Sequence, residues 1–429
     1  MSLFRESTVS FVSLIVANIG YLIIGVMIAR ALGPEGKGAW AIILMIIDYL
    51  ALLSNLGLDA ASVYYLGQGN HSKGQILSVI LYATIGLGLI ALFIFTPIVW
   101  LWGDAIFAKS ELDLSLSLGA VFIVPLVLGL RLISSYFQGC LKIVKYNVLI
   151  LIQLFFQIIV LYFCLMILKW QIWGIFISYV ASLFIAIGTG AIFVQAEGTR
   201  IQFNGTKELA QKMFRYGFKG YVGNLIQFMN YKIDLFLVNL LLGLSATGIY
   251  SIAVNLAGLC WFISYAMATS LFPRASASGK SSARLITRSA LICLLLTAVS
   301  AGMLALLCKP VIRLLYGNEF LPAANAIYFL LPGVVIFVYT RIVATYFSGN
   351  GKPLINSAIS LASLAVSIPL NMILIPWLGL TGAALAITCA YTVSSALSYI
   401  LFKYYPLDKR LIDLLQKVIR FKQALQIQP

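Results

Sequence analysis

The chain has 429 residues, of which 62% are hydrophobic and only 10% charged, a balance that no water-soluble domain accommodates without exposing a very large apolar surface. Its solvent is therefore lipid. The net charge of +16, which in a soluble protein would suggest a nucleic-acid partner, is spread beside and between apolar stretches and reports topology instead.

Apolar runs of about 20 residues, enough to cross roughly 30 Å of hydrocarbon, recur along the whole chain. Breaks at Gly, Pro and charge clusters predict about twelve spans, at 9–29, 39–64, 75–102, 114–138, 147–168, 172–194, 218–241, 247–271, 285–308, 323–347, 354–375 and 380–402. The first run is too long for a signal-peptide core, lacks a small-residue cleavage site and leads into another span, so it is expected to stay attached. With the N-terminus inside, about 20 of the 29 basic residues fall in cytoplasmic segments. The positive-inside rule thus predicts a multi-pass protein of the bacterial inner membrane with both termini in the cytoplasm. Residues 204–219 and the tail 404–429, where Leu411, Leu414, Leu415, Val418 and Leu425 share a face among basic residues, read as amphipathic helices lying on anionic headgroups. Partner docking is the alternative for the tail.

The six cysteines stand singly in apolar surroundings without metal or disulfide spacing, and His71 is the only histidine, so neither redox, zinc nor histidine-based catalysis is indicated. Asn204-Gly205-Thr206 matches a glycosylation acceptor but falls in a cytoplasmic loop.

An offset of 210 residues aligns Gly33 with Gly243, Gly38 with Gly248 and Trp40 with Tyr250, and the run Arg131 to Gly139 with Arg341 to Gly349, followed by Lys142 with Lys352. Two matches at one offset, including Arg, Tyr, Gly and Lys, indicate an internal repeat. Each half holds about six spans, an even number, so the halves share one orientation and are related by an axis along the membrane normal, with a site between them near the midplane. Residues 1–200 and 201–403 are the expected bundles, followed by the 404–429 tail.

The run Arg30-Ala31-Leu32-Gly33-Pro34-Glu35-Gly36-Lys37-Gly38-Ala39-Trp40 and its echo from Gly243 to Ser251 resemble the first outer loops of the bacterial oligosaccharide (Wzx-type) flippases. These belong to the superfamily that includes multidrug (MATE) exporters and the peptidoglycan-precursor flippase. The resemblance covers essentially the whole chain. It implies a MATE-like all-α fold, two six-helix bundles in a V, with the first, second, seventh and eighth spans lining a cationic cavity. Where members of that family often carry a basic residue after the second span, this chain has Tyr64-Tyr65.

Polar residues within spans are the candidate site, because they are costly unless they face a partner or a wet cavity. At 100° per residue, three stripes emerge: Asp48, Asn55, Asp59 and Ser62 in the second span; Asn224, Gln227, Asn230, Tyr231 and Asp234 in the seventh; Ser7, Ser10, Asn18, Tyr21 and Gly25 in the first. Helix–helix hydrogen bonding is the competing account of each stripe. Lys232 lies about 160° from Asp234. It either reaches a diphosphate from a locally unwound helix or pairs with a neighbouring span. Arg131 and Arg341 read as snorkelling residues near the inner ends of their spans.

These readings predict a flippase, not an enzyme, moving undecaprenyl-pyrophosphate-linked oligosaccharide units to the outer leaflet by alternating access, for O-antigen (lipopolysaccharide), capsule or exopolysaccharide synthesis. Lys232 and Arg30 would attract the diphosphate, and Asp48, Asp59 and Asp234 would meet sugar hydroxyls or carry a coupling proton or sodium ion; no other cofactor is called for. Membrane lipids, and polysaccharide polymerase machinery as a further partner, fit the same reading. A cation-coupled multidrug exporter and a membrane polymerase or ligase are the alternatives. The first would prefer an acid within its first span and the second a substantial outer loop; this sequence has neither.

Overall fold

The computed structural model describes residues 3–107, 114–202, 205–268, 271 and 283–404, without the side chains of 3–8, 102–107 and 219. These residues form α1 (Leu3–Asn55), α2 (Leu58–Gln68), α3 (Lys73–Phe107), α4 (Leu114–Gly139), α5 (Ile143–Tyr162), α6 (Gln171–Ala196), α7 (Thr206–Leu242) and α8 (Leu244–Leu259). There follow α9 (Phe262–Ala268), α10 (Ala283–Leu315), α11 (Ala323–Gly349), α12 (Pro353–Leu378) and α13 (Leu380–Tyr404). No strand occurs among the described residues. The tail from 405, Asn204 of the acceptor sequence and the side chain of Ser7 lie outside the description.

The apolar stretch Val9–Asn55 runs for 47 residues, which as a straight helix would measure about 70 Å, over twice the hydrocarbon thickness. It is broken at Gly33, whose φ of 66° and ψ of −167° are followed by Pro34. Glycine tolerates this conformation, and proline withholds the backbone donor that would continue the first helix. Among the described residues ten helices are long and apolar enough to cross a membrane, or eleven where α8 and α9, bent by 50° at their junction, are counted as one span. Counting the Gly33 break yields the twelve crossings expected. The seventh departs from expectation: residues 206–219 are not a separate interfacial helix but the first turns of the continuous α7.

The halves repeat in packing as well as in sequence. In the first, α3 packs on α4, α5 on α6, α1 on α5, α4 on α6 and α1 on α4. In the second, α10 packs on α11, α12 on α13, α7 on α12, α11 on α13 and α8 on α11. Each pair has its counterpart one repeat later. Gly243 repeats the role of Gly33, with φ 84° and ψ −174° at the α7–α8 corner.

Two glycine contacts join the halves. On the face that carries Gly33 and Gly243, the backbones of 34–38 and 244–248 touch directly: a Cβ on Gly38 would strike the Leu244 carbonyl, and one on Gly248 the Pro34 carbonyl. Toward the opposite face, Gly57 and Gly217 meet in the same way. There α1 and α2 are fastened to α7 by the Tyr49–Phe228 ring contact (5.0 Å), the stacked Tyr64 and Tyr216 rings (4.1 Å) and a 3.2 Å hydrogen bond from the Tyr221 hydroxyl to the Leu53 carbonyl.

That second face is also bound by Glu197, beyond the end of α6, which accepts hydrogen bonds of 2.7 Å from both Lys142 and Lys145. Burial works to raise the Glu197 carboxyl, but the two ammonium groups outweigh it and hold it below the usual carboxylate range.

Candidate functional site

A cavity of about 670 Å³ lies where the halves meet. Its wall draws on α1 (Tyr21, Gly25, Lys37, Trp40, Asp48), α2 (Asp59), α4 (Arg131, Ser134, Ser135, Gln138), α5 (Tyr146, Gln153, Gln157), α6 (Tyr179), α7 (Tyr231, Lys232, Asp234) and α8 (Ser251, Asn255). Within a bilayer such a concentration of polar side chains marks a wet or ligand-filled space.

Of the expected site residues, Lys232, Asp234, Asp59, Asp48, Tyr231 and Tyr21 line this space. The others are placed elsewhere. Arg30 binds the carbonyls of Leu314 (2.5 Å) and Leu315 (2.8 Å), neutralising the exposed C-terminal carbonyls of α10 rather than waiting for a diphosphate. Asn18 donates to Leu14 O in its own helix, Gln227 to the Tyr231 hydroxyl, and Asn230 and Asn55 are packed between helices, each 2% exposed. Asn224, too, stands outside the wall.

The second-span stripe does not survive because the helix does not. Leu56 (φ 49°) and Gly57 (φ 78°) interrupt it, so a constant 100° phase cannot run from Asp48 to Ser62. Asp59 instead occupies the first turn of α2 and accepts from the Ala60 N–H at 2.7 Å, where the helix N-terminus favours negative charge. In α7 the opposite adjustment applies. Tyr231, Lys232, Asp234 and Leu235 all line the wall, an arc of about 160°, so Lys232 and Asp234 stand at its two edges without any unwinding of the helix. Asp234 is only 3% exposed and is held by the Tyr250 hydroxyl (2.8 Å) and the Leu235 N–H (2.8 Å).

Arg131 is the main residue that sequence reasoning assigned elsewhere. It does not snorkel: its guanidinium donates to Asp48 Oδ1 at 3.0 Å within the cavity, and the two side chains are 32% and 35% exposed. A signal was present. Arg131, Ser134, Ser135 and Gln138 follow i, i+3, i+4, i+7 spacing, and Tyr146, Gln153 and Gln157 follow i, i+7, i+11, both single-face patterns. The first also belongs to the 210-residue repeat, which masks its single-face spacing.

The repeat mate of Arg131 behaves differently. Arg341 lies over the rings of Tyr265 (4.0 Å), Trp261 (4.3 Å) and Tyr231 (5.8 Å) and donates to the Tyr265 hydroxyl, while its Nε and one terminal nitrogen are buried without acceptors. Phe337 and Tyr391 stack at 4.3 Å beside the same Trp261. The second half thus fills with aromatic rings the volume that the first half leaves polar and open. The mate of Asp48 is Gly258, and a Cβ there meets nothing within 4 Å. Gly258→Asp is expected to recreate the ion pair with Arg341 and raise the melting temperature above that of Gly258→Asn by about 2–4 °C. Thermal unfolding of both, and of Gly258→Asp with Arg341→Gln, checks this; equal melting of the Asp and Asn variants refutes the pairing.

Three comparisons bear on this arrangement. The model of a family described as polysaccharide biosynthesis protein matches residues 3–279. An uncharacterized membrane protein of Methanocaldococcus jannaschii is 25% identical over 197 residues, 44% of this chain but only 38% of that protein, so the chain spans less than half of that relative's length. Among solved structures, an inward-facing multidrug resistance MATE family transporter of the MOP superfamily superposes with a TM-score of 0.79 at 13% identity, covering 91% of this chain and 94% of that one. The lipid II flippase MurJ in an inward closed conformation follows at 0.76 and 15%, covering 91% and 87%. A MOP superfamily transporter from Pyrococcus furiosus, described as having a binding pocket of reverse polarity, reaches 0.67 and 14%, covering 94% of each. At these identities the likeness establishes the fold: two six-helix bundles of the MATE type.

Proposed function

The chain belongs to the polysaccharide biosynthesis protein family, and on that footing we propose that it flips an undecaprenyl-pyrophosphate-linked oligosaccharide from the cytoplasmic to the outer leaflet. The observation that carries the reading is the cavity between the repeats, which offers hydroxyls, amides, both signs of charge and the aromatic ring of Tyr179, the groups that sugar hydroxyls and an anionic carrier need. The bundles 1–200 and 201–403 rock about the Gly38–Gly248 and Gly57–Gly217 contacts, opening one face as the other closes. The basic Glu197 face is cytoplasmic by the positive-inside rule. The polyprenyl tail stays in lipid, beside the apolar groove between Phe11 and α9 residues Phe262, Ile263, Ala266 and Met267. Lys232 draws the diphosphate inward, and Asp234 or Asp59 carries a coupling proton or sodium ion.

Deleting the gene is expected to trap lipid-linked repeat units on the cytoplasmic leaflet, measured by leaflet-selective labelling of extracted carrier lipids. Normal export accompanied by altered drug resistance would transfer the assignment to a multidrug exporter; polymer of normal leaflet distribution but altered chain length would indicate a polymerase.

A further inference from the structure

Lys37 has no role in that scheme, and its surroundings are unusual for a lysine. Read from sequence it belongs to a short outer loop. In the structure it sits in the helix after Gly33, 6% exposed, on the cavity wall. Its ammonium lies against Gly25 of the preceding segment of α1, close enough that a Cβ there would stand 3.4 Å from Nζ; glycine at 25 makes room for the charge. No hydrogen bond or ion pair holds it among the described residues. The nearest acid along its own helix facing the cavity, Asp48, lies about 16 Å away by helical rise and is already engaged by Arg131.

An ammonium only 6% exposed and without an acidic partner among the described residues is costly in the ligand-free state. Its retention makes sense if an anion completes it during the transport cycle. We propose that Lys37 binds an acidic group carried on the glycan itself, so that the substrate is an anionic oligosaccharide. The proposal rests on the oligosaccharide reading above. Position argues for the glycan over the carrier phosphate. Lys37 lies about 27 Å along α1 from the helix end at Asn55, nearly the whole hydrocarbon thickness, so a diphosphate entering with the headgroups of the Glu197 face is remote from it while the leading end of a glycan is not. Trp40, one turn further on, is buried against Tyr179 at 5.6 Å, and the half-buried Tyr179 ring on the same wall supplies an apolar surface for the adjoining sugar ring. Lys37 also adjoins Gly38, where the halves touch, so an anion bound here reaches the contact that must part for release.

The test uses the full-length protein in lipid nanodiscs, with trigalacturonate, the neutral galactose trimer and inorganic diphosphate as calorimetric probes. Wild type is expected to bind trigalacturonate about tenfold tighter than the neutral trimer. Lys37→Met should lose that preference, keep its diphosphate affinity and, freed of a stranded charge, melt higher than wild type; Lys37→Arg should keep the preference. The proposal is overturned by a Lys37→Met protein that retains the preference, by one that melts lower or fails to fold, since Lys37 is then structural, or by loss of diphosphate binding in parallel, which would make the carrier phosphate its ligand. Wild type that binds both trimers equally removes Lys37 alone, whereas wild type that binds neither removes the oligosaccharide reading with it.

Discussion

Gly38→Ala is expected to reduce glycan export at least about tenfold, because a single methyl carbon at this position collides with the Leu244 backbone carbonyl and a backbone atom cannot rotate aside as a side chain can. Gly248→Ala should do the same from the other side, where the obstacle is the Pro34 carbonyl. The two glycines are repeat mates, so their contact lies at the pseudo-symmetry axis, and separating them there forces the halves apart on the Gly33 face. Spin labels at Glu35 and Ser245, exposed repeat-related positions, should report a longer distance in either variant. Gly258→Ala, with open space around its Cβ, is the control for adding a methyl group to a helix. Unchanged distances together with unchanged export in Gly38→Ala would mean that this contact neither closes the cavity nor limits the cycle.

The second large effect concerns Asp48 and Arg131. Each is only about one-third exposed, and that exposure is to the cavity, so removing one partner strands the other in a low-dielectric wall. Asp48→Asn and Arg131→Gln are each expected to cost about 1–3 kcal/mol of stability and to depress export strongly. The double variant should recover part of the stability, since neither charge is then left alone, but not the export if the pair also meets substrate. A double-mutant cycle on thermal unfolding, run beside export, separates the two contributions. Strict additivity of the single effects would show that the 3.0 Å contact carries no coupling.

Much of the architecture could be read from residue order. Twelve crossings, most of their limits to within a few residues, and the 210-residue repeat follow from the length of apolar runs and from glycines at corners, because a bilayer leaves a chain so few ways to satisfy its backbone; the early start of α7 at Thr206 and the late end of α10 at Leu315 do not. Tyr21, Asp48, Asp59, Tyr231, Lys232 and Asp234 were identifiable as candidates because polar groups in spans are rare. What helical phase could not supply was which arc of each helix faces which neighbour. Phase is defined only within an unbroken helix, and Leu56 and Gly57 reset it. It also says nothing about partners distant in sequence. Arg131 meets Asp48 and Tyr250 holds Asp234, while Arg30 is occupied by carbonyls 284 and 285 residues away. Symmetry misleads in the same way. Repeated sequence produces repeated packing, yet Gly258 stands in place of Asp48 and the rings around Arg341 fill one half where the other stays open. Hydrophobicity and chain geometry therefore dictate the scaffold locally, whereas the polar cavity is a property of long-range neighbours: Lys37, by sequence an ordinary loop lysine, becomes a buried charge only when the chain breaks at Gly33 and brings its ammonium against Gly25 on the cavity wall.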